Sequence, residues 1–244
     1  MIQKNALVTG ILGGIGSAIG KALRANGYYV FGVDRRDDFQ YNCDRFLLFD
    51  INEYVKSASY RIKYTEIFEQ VIPKLDVLVN NAAVQKLGHL DEIKLEDWQE
   101  TLNVNLTGPM VLSKLFLSKL ADSRGSIINV GSIHHQLTKP RFVSYATSKS
   151  ALIGLTKALA VDLEGRVRVN AISPAAIETD MLRDGFEGDE DALIKLKKLH
   201  PVQRIGYPEE VAKLVLFLAS ENTGFIHGAN ITLDGGISSV LKDL

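Results

Sequence analysis

A tyrosine and a lysine stand one helical turn apart at the start of an apolar, helix-like run. The run is SYATSKSALIG, residues 144–154, and it places Tyr145 and Lys149 on one face of the predicted helix. A free phenol titrates near pKa ~10, and a nearby ammonium group lowers that pKa. The pair could therefore exchange a proton with a bound substrate, although a plain surface contact would also explain it when the pair is taken alone.

Glycines follow the first apolar run of the chain, in the stretch VTGILGGIGSAIG. Gly10, Gly14 and Gly16 lie where a strand would pass into a helix. Such glycines let a diphosphate approach the backbone, and the helix N-terminus offers N–H groups to it. An ordinary tight turn also uses glycine, but the position between the first strand and the first helix is that of a dinucleotide fingerprint.

An acidic residue closes the second apolar run, YYVFGVDRR. The Asp34 carboxylate could accept both ribose hydroxyls of NAD and would repel the 2′-phosphate of NADP, so we predict NAD, with NADP the less favoured cofactor. Arg35 and Arg36 follow directly and could pair with such a phosphate. The other interpretation of the two arginines is a solvated turn.

Two further polar residues support the interpretation of the tyrosine and lysine as a site. Ser132 ends the predicted strand in SIINVGS, and the carboxyl ends of parallel strands face the ligand crevice. Its hydroxyl is therefore expected to point toward the same space as the glycine-rich turn. Asn105, in TLNVNLTG, is a polar residue inside an otherwise amphipathic helix, where it could also simply bend or cap that helix.

The motifs, taken in order, resemble those of the short-chain dehydrogenase/reductase family over nearly the whole chain. No single motif is decisive, but together they are specific. They are TG-x-x-x-GIG at residues 9–16, the acidic Asp34, FDI ending in Asp50 and Ile51, NNAA at 80–83, Asn105, Ser132, Y-x-x-x-K at Tyr145 and Lys149, NAISPAAIET at 170–179, and DGG at 234–236.

The resemblance implies a catalytic role for four residues, Asn105, Ser132, Tyr145 and Lys149. Tyr145 would protonate a carbonyl oxygen or take the proton of an alcohol, and Ser132 would hold that oxygen in line. Lys149 would bind the nicotinamide ribose and lower the pKa of the phenol. Asn105 would anchor a water molecule that relays protons to Lys149. The hydride itself belongs to the cofactor.

The resemblance also implies the residues that contact the cofactor. Asp50 and Ile51 would flank the adenine, Asn81 and Ala82 the adenosine ribose, and residues 174–179 the nicotinamide. The full predicted set is Gly10, Gly14, Ile15, Gly16, Asp34, Arg35, Asp50, Ile51, Asn81, Ala82, Tyr145, Lys149, Pro174, Ile177 and Thr179. Ala83 and Ala175 depart from the family, which has glycine at both positions.

These residues need a scaffold, and the apolar pattern predicts one. Seven short runs rich in branched residues, at 6–8, 29–31, 46–49, 77–79, 127–130, 167–169 and 231–233, indicate buried strands. Between them, apolar residues at steps of three and four indicate helices. Alternating strands and helices predict a single α/β domain over residues 1–244, a Rossmann-type doubly wound sheet of about seven parallel strands with helices on both faces.

The composition of the chain indicates which classes of partner the protein can bind. A net charge of −1 argues against a nucleic-acid or membrane surface built on bulk basicity, so we expect a small-molecule substrate. No apolar run reaches the length of a membrane span and no secretory pattern follows Met1, so we expect a cytoplasmic protein. Cys43 is the only cysteine, which excludes an internal disulfide and a cysteine-based metal cluster, and we predict no metal.

Polar residues near the catalytic set indicate the substrate class. Gln85, His134 and the neighbouring His135 are predicted to border the pocket, with Ser132 and Tyr145 also contacting the substrate. The arrangement partly resembles dehydrogenases of short 3-hydroxy acids, in which a cation near the tyrosine holds a carboxylate. Phe142 stands where their lysine would be, so Lys139 or Arg141 would supply the cation. Solvated loop residues are the other interpretation.

The sequence thus predicts an NAD(H)-dependent oxidoreductase that interconverts a secondary alcohol and a ketone on a hydroxy acid, sugar or polyol derivative. The alternative is a catalytically silent NAD-binding regulatory or scaffolding protein with the same fold. Residues 181–206 are predicted to form a lid over the site. The helices predicted at 95–120 and 145–164 are apolar enough to suggest a homo-oligomer, a tetramer or a dimer.

Overall fold

The sheet is built from the seven predicted strands, all paired in parallel in the order β3-β2-β1-β4-β5-β6-β7. The computed structural model describes residues 3–37, 41–186 and 188–241, without the side chain of Met181. The strands are β1 Lys4–Thr9, β2 Tyr28–Asp34, β3 Arg45–Leu48, β4 Val77–Asn80, β5 Ser126–Val130, β6 Arg168–Pro174 and β7 Asn230–Leu233. The prediction of a Rossmann-type doubly wound sheet is confirmed.

Ten α-helices connect and cover these strands within the described ranges. They are α1 Gly14–Ala25, α2 Ile51–Lys56, α3 Ala58–Val71, α4 Leu95–Leu102, α5 Gly108–Leu115, α6 Leu117–Asp122, α7 Val143–Asp162, α8 Asp180–Asp184, α9 Glu190–Leu199 and α10 Pro208–Ala219. No helix in the described part of the chain combines the length and the apolar composition that a bilayer crossing needs.

Two apolar layers hold the helices against opposite faces of the sheet. On one face, α1 and α10 contribute Ile19 and Val215 to a cluster with Val8 and Val79. On the other face, residues of α3, α5, α6 and α7 pack with Leu7, Leu78 and Ile127. Neighbouring residues of a strand alternate between the two layers, which is the expected geometry for a sheet buried on both sides.

The helix predicted at 95–120 is wrong as a single element. The chain forms α4, then a π-helical turn at Asn103–Thr107, then α5 and α6, which meet at Phe116. Phe116 and Leu112 are buried in the core of the subunit itself, and Val111 and Leu115 pack against that core. The apolar residues that suggested self-association are therefore largely accounted for within one chain, and the homo-oligomer stays a prediction.

The sheet order reverses between β1 and β4, which are adjacent although two strands separate them in the sequence. The carboxyl ends of all seven strands lie at one edge, and in open sheets of this kind the ligand crevice lies at such a reversal. Thr9, Asp34, Asn80 and Pro174 end their strands at this edge. The predicted site residues therefore converge on one side of the molecule because of strand polarity.

The predicted lid at 181–206 follows β6 and carries most of α8 and all of α9. Its base is closed by a bridge between Ile177 and Gly206, where the Glu178 N–H donates to the Gly206 carbonyl and the Gly206 N–H donates to the Ala176 carbonyl. Glu187, within the predicted lid, lies outside the described residues. The segment thus leaves the domain and returns to it through a narrow neck beside the end of β6.

Candidate active site

The glycine-rich turn follows β1 and forms the floor of the crevice. Gly10 has a φ of +67°, a conformation that side chains with a Cβ rarely adopt. A Cβ on Gly16 would lie 2.0 Å from the Gly10 carbonyl oxygen, so only glycine fits there. The first turn of α1 therefore sits directly against the backbone of the preceding turn, as a diphosphate-binding turn requires.

Asn81 holds this turn in place from the neighbouring strand end. Its Nδ2 donates to the carbonyls of Thr9 and Gly10 at 2.9 and 3.2 Å, and the Thr9 hydroxyl accepts the N–H groups of Asn81 and Ala82. Both amide hydrogens of Asn81 are therefore used inside the protein. The Asn81 side chain thus holds the glycine turn, and its contact with the adenosine ribose, through Oδ1 or the backbone, stays a prediction.

The N-terminus of α1 fits an anionic group. Its N-cap is Gly13, which has no side chain to cap the helix, and the first turn contains no acidic residue. By contrast, Asp50, Ser57, Thr179 and Asp189 each accept a backbone N–H at the start of their own helix. The uncapped end of α1 leaves N–H groups directed at the crevice, and these could bind a cofactor diphosphate.

Asp34 lies at the rim of the same turn and is almost fully buried. Its carboxylate accepts the N–H groups of Leu12 and Arg36 at 3.2 and 3.1 Å, and Arg36 Nε lies 3.6 Å from it. Arg35 turns away to Glu100, with 3.3 Å between Nη1 and Oε1. The negative charge of Asp34 is thus placed beside the glycine turn, while both arginines already have acidic partners.

The remaining predicted cofactor residues line the edges of the crevice. Asp50 is the N-cap of α2, and Ile51 is buried against Gly108. Pro174 ends β6, Ile177 is buried in the neck of the lid, and Thr179 caps α8. The Thr179 methyl group is so close that a Cβ on Gly14 would lie 3.0 Å from it. The end of β6 therefore meets the glycine turn across the reversal of the sheet.

Ser132, Tyr145 and Lys149 come together beyond the end of β5. Ser132 is buried, its hydroxyl oxygen accepts the His134 N–H at 3.2 Å, and it is near enough to the Tyr145 phenol to influence its pKa. Lys149 is 2% exposed, donates to the Val130 carbonyl at 2.8 Å, and lies 5.6 Å from the centroid of the Tyr145 ring. A hydroxyl, a phenol and an amine are thus arranged in one cluster at the end of the strand.

The pKa of the Tyr145 phenol differs from the expectation. Removal of water raises its pKa above the ordinary value, and the interaction with the nearby Ser132 hydroxyl opposes that rise only in part. Burial also lowers the pKa of Lys149 to about 8. Burial is therefore the larger influence on the phenol, and the lowering of its pKa by Lys149 stays a prediction.

Asn105 occupies the π-helical turn and is 1% exposed. Its Oδ1 accepts the Val84 N–H at 2.9 Å, and its Nδ2 donates to the Val84 carbonyl at 2.9 Å and to Ser148 Oγ at 3.0 Å. Both amide hydrogens are used, so the side chain has no donor left for a water molecule. Its visible role is to fasten the loop after β4 to helix α7, close to Tyr145 and Lys149.

His134 stands next to Tyr145 and Phe142, and its contact with a substrate stays a prediction. Its ring stacks on Phe142 at 4.5 Å between centroids and meets the edge of Tyr145 at 5.8 Å. Burial and the charge of Lys139 lower its pKa to about 4, so the imidazole is neutral near pH 7. Lys139 Nζ lies 4.6 Å from the Phe142 centroid, which places a cation one ring away from His134.

His135 has a different role from the one expected of a pocket residue. Asn230 Nδ2 can only donate, so His135 Nε2 accepts from it and Nδ1 donates to the Ser132 carbonyl at 2.7 Å. Asn230 in turn accepts from Ser173 Oγ. His135 thereby fixes the backbone of Ser132 from behind. No pattern in the sequence indicates this contact, because Asn230 is 95 positions away in the chain.

Gln85 lies in the loop after β4, directly after Val84. This loop is bridged to the segment before α7, since the Gly88 N–H donates to the Arg141 carbonyl and Gly88 pairs with Phe142. Arg141 is exposed and has a φ of +72°. The bridge thus joins the two loops that carry the predicted substrate residues.

This chain belongs to the short-chain dehydrogenase/reductase family. A family model described as enoyl-(acyl carrier protein) reductase matches residues 10–238. Membership makes the protein an oxidoreductase of alcohol and carbonyl groups that uses a pyridine nucleotide.

Two relatives with assigned activities are similar to this chain over nearly its whole length. The chain is 36% identical to the 3-oxoacyl-(acyl-carrier-protein) reductase FabG of Thermotoga maritima, with 96% of this chain and 97% of the relative covered. It is 34% identical to an NAD-dependent glycerol dehydrogenase of Listeria innocua, with 96% and 93% covered. Both alignments span essentially the whole domain.

Solved structures agree with this relationship. The ligand-free aldohexose dehydrogenase of Thermoplasma acidophilum superposes with a TM-score of 0.92 at 31% identity, covering 99% of this chain and 96% of the other. ElxO with NADP bound superposes with a TM-score of 0.85 at 30% identity, covering 98% and 100%. The relatives thus include proteins named for NAD and for NADP, so the family alone does not decide the cofactor.

Proposed function

We propose that this protein is an NAD(H)-dependent oxidoreductase that interconverts a secondary alcohol and a ketone on a small polar substrate. The observation that supports this most is the cluster of Ser132, Tyr145 and Lys149, set beyond the end of β5 in the crevice that the glycine turn floors. The complete set, including Asn105, argues against a silent NAD-binding protein, since a scaffold would not need a buried amine beside a phenol.

The proton would be handled by Tyr145. Because its pKa is raised, the phenol keeps its proton at neutral pH and can donate it to a carbonyl oxygen held by Ser132. Bound nicotinamide supplies or accepts the hydride. In the direction of alcohol oxidation the phenol must first lose its proton, so that direction should be favoured by alkaline pH.

Lys149 and Asn105 would support this exchange from behind. Lys149, with a pKa of about 8, can change its protonation state near neutral pH. It could therefore take up or release the proton that Tyr145 exchanges with the substrate. Asn105 positions the loop after β4 against α7 through Val84 and Ser148. We propose it as a positioning residue, with any water bound through its remaining lone pair or its backbone.

The preference for NAD(H) is proposed on the charge at the end of β2. Asp34 is 9% exposed and bonded to Leu12 N–H in the glycine turn, so its carboxylate lies where the adenosine ribose would approach. A ribose can donate its hydroxyls to that carboxylate, whereas a 2′-phosphate would meet a buried negative charge.

The substrate is proposed to be a small hydroxy acid, sugar or polyol derivative. Lys139 is the cation best placed to bind a carboxylate, since it lies over Phe142, which stacks on His134. The names of a glycerol dehydrogenase and an aldohexose dehydrogenase among the relatives also favour polar hydroxy compounds. We propose that the segment 181–206 covers this substrate as a lid and that the protein acts as a homo-oligomer in the cytoplasm.

A turnover screen tests this function. Purified protein would be assayed with NAD⁺ and NADP⁺ against polyols, sugars, short hydroxy acids and bulky apolar alcohols. Turnover of a polar class with NAD⁺ supports the proposal. Turnover confined to bulky apolar alcohols would contradict the substrate class, and binding of NADH without any turnover would support the silent alternative.

A further inference from the structure

Helix α4 carries a carboxylate that pairs with cations from two different parts of the site. Glu100 Oε1 lies 3.3 Å from Arg35 Nη1, and Glu100 Oε2 lies 3.1 Å from Lys86 Nζ. Arg35 directly follows Asp34 at the end of β2, and Lys86 directly follows Gln85 in the loop after β4. Each oxygen of the carboxylate thus has its own cation.

The ion pair of Arg35 and Glu100 could affect which cofactor binds, because Arg35 lies beside the residue expected to contact the adenosine ribose. A 2′-phosphate needs a cation beside the adenosine ribose, and a guanidinium group binds phosphate well. Arg35 is next to Asp34 in the chain, and its side chain is 57% exposed, so it could reach a phosphate if it were released. The Glu100 side chain is only 21% exposed and is therefore the more fixed partner.

Arg36, the other candidate cation, has a carboxylate of its own. Its Nε lies 3.6 Å from Asp34 Oδ1, and its N–H donates to the same oxygen at 3.1 Å. Both arginines at this corner are thus drawn toward acidic groups. A phosphate that recruited Arg35 would have to separate it from Glu100 and would bring its own negative charge toward that carboxylate.

We propose that Glu100 is a specificity-determining residue for the cofactor: it holds Arg35 away from the 2′-phosphate position and strengthens the preference for NAD(H) set by Asp34. The inference rests on the proposed cofactor preference and extends it to a residue 65 positions beyond Arg35. Since partly exposed ion pairs are weak, we expect a change of about fivefold rather than a complete switch of cofactor.

The test is Glu100→Gln, with dissociation constants for NADH and NADPH measured by fluorescence titration, so that no substrate is needed. The affinity for NADPH should rise about fivefold while that for NADH stays nearly constant. The gain should shrink as salt is added, because the charges are close to solvent.

The chain offers a matched control in Asp97→Asn. Asp97 lies on the same helix, and its Oδ1 pairs with Lys86 Nζ at 3.3 Å rather than with Arg35. This variant removes one acidic charge from the same surface, so it should leave the ratio of NADPH to NADH affinity close to that of the wild type. In an Arg35→Gln background, Glu100→Gln should bring no gain.

An equal gain in Asp97→Asn, a gain that persists without Arg35, or no change in the ratio would each overturn the role of Glu100. If the wild type itself binds NADPH more tightly than NADH, the proposed NAD preference is wrong, but the ratio between variant and wild type still decides the role of Glu100. Binding of neither dinucleotide would contradict both proposals.

Discussion

Two regions of the site differ in how tightly their polar groups are held. In the catalytic floor, defined as Asn105, Ser132, Tyr145 and Lys149, the amide of Asn105 and the amine of Lys149 bond buried backbone groups. In the substrate rim, defined as Gln85, His134, Lys139 and Arg141, Lys139 and Arg141 are exposed, and the ring of His134 packs against Phe142 and Tyr145.

This difference indicates that the catalytic floor determines the reaction and the substrate rim determines which substrate is accepted. Buried hydrogen bonds fix the catalytic floor. Leaving any of these buried polar groups without a partner would cost stability, so the geometry tolerates little change. The substrate rim lies on loops that a bridge between Gly88 and Phe142 joins, so side chains there can be exchanged without disturbing the fold. Substitutions in the two regions should therefore have effects of very different size.

The largest effect is expected at the phenol. Tyr145→Phe keeps the ring that packs against His134 and Phe142 but removes the proton donor, so kcat should fall by about 10³-fold. Affinity for NADH should change little. Steady-state kinetics and a NADH titration measure the two quantities, and a variant that kept its full kcat would remove Tyr145 from the chemistry.

The glycine turn should be nearly as sensitive, but in binding rather than turnover. In Gly16→Ala the new Cβ would clash with the Gly10 carbonyl, so the turn must shift. The affinity for NADH should therefore fall by about 100-fold, or about 2.8 kcal/mol of binding free energy. The control is Gly154→Ala on α7, where no atom lies within 4 Å of the new Cβ. Similar losses of NADH affinity in both variants would show that the glycine turn does not bind the cofactor.

Lys149 should leave a signature in the pH dependence of stability. Its pKa is about 8 in the folded protein and higher when unfolded, so between these values the unfolded chain binds the extra proton. Stability should therefore rise with pH above 8, by up to about 1.4 kcal/mol per pH unit, and Lys149→Met should lack this rise.

Urea unfolding of both proteins at pH 7.5, 8.5 and 9.5 measures this difference, because the other groups that titrate there are common to the two chains. Parallel pH profiles would mean that Lys149 is not desolvated as the structure has it.

The smallest effect is expected in the substrate rim. Lys139→Gln removes the cation near Phe142, so KM for a hydroxy acid should rise about threefold to fivefold, in line with the weakness of an exposed charge, while kcat is retained. KM for an uncharged polyol should stay the same. If kcat falls as well, the rim and the floor are less separate than proposed.

Much of this arrangement was predictable from the sequence, and the exceptions share one physical cause. All seven strands were found because branched residues mark buried strands, and the order of the motifs placed the site at the carboxyl edge. The π-helical turn was missed because it is held by the bonds of Asn105 to Val84 and Ser148, residues distant in the chain.

The raised pKa of Tyr145 was also not predicted, for a related reason. The spacing of Tyr145 and Lys149 shows that the two are close, but it does not show how much water the folded chain removes from them. The same holds for Asn81, whose bonds to Thr9 and Gly10 depend on the pairing of β1 and β4. Local patterns give residue types and spacing, whereas burial and long-range pairing come only from the fold.

The most direct measurement of the central claim is a crystal structure of the protein with NADH and a substrate alcohol or inert analogue. The account predicts that the reacting oxygen lies within hydrogen-bond distance, about 2.6–3.2 Å, of both Tyr145 Oη and Ser132 Oγ. A substrate oxygen beyond reach of the phenol, with Tyr145 directed away from the nicotinamide, would contradict the account.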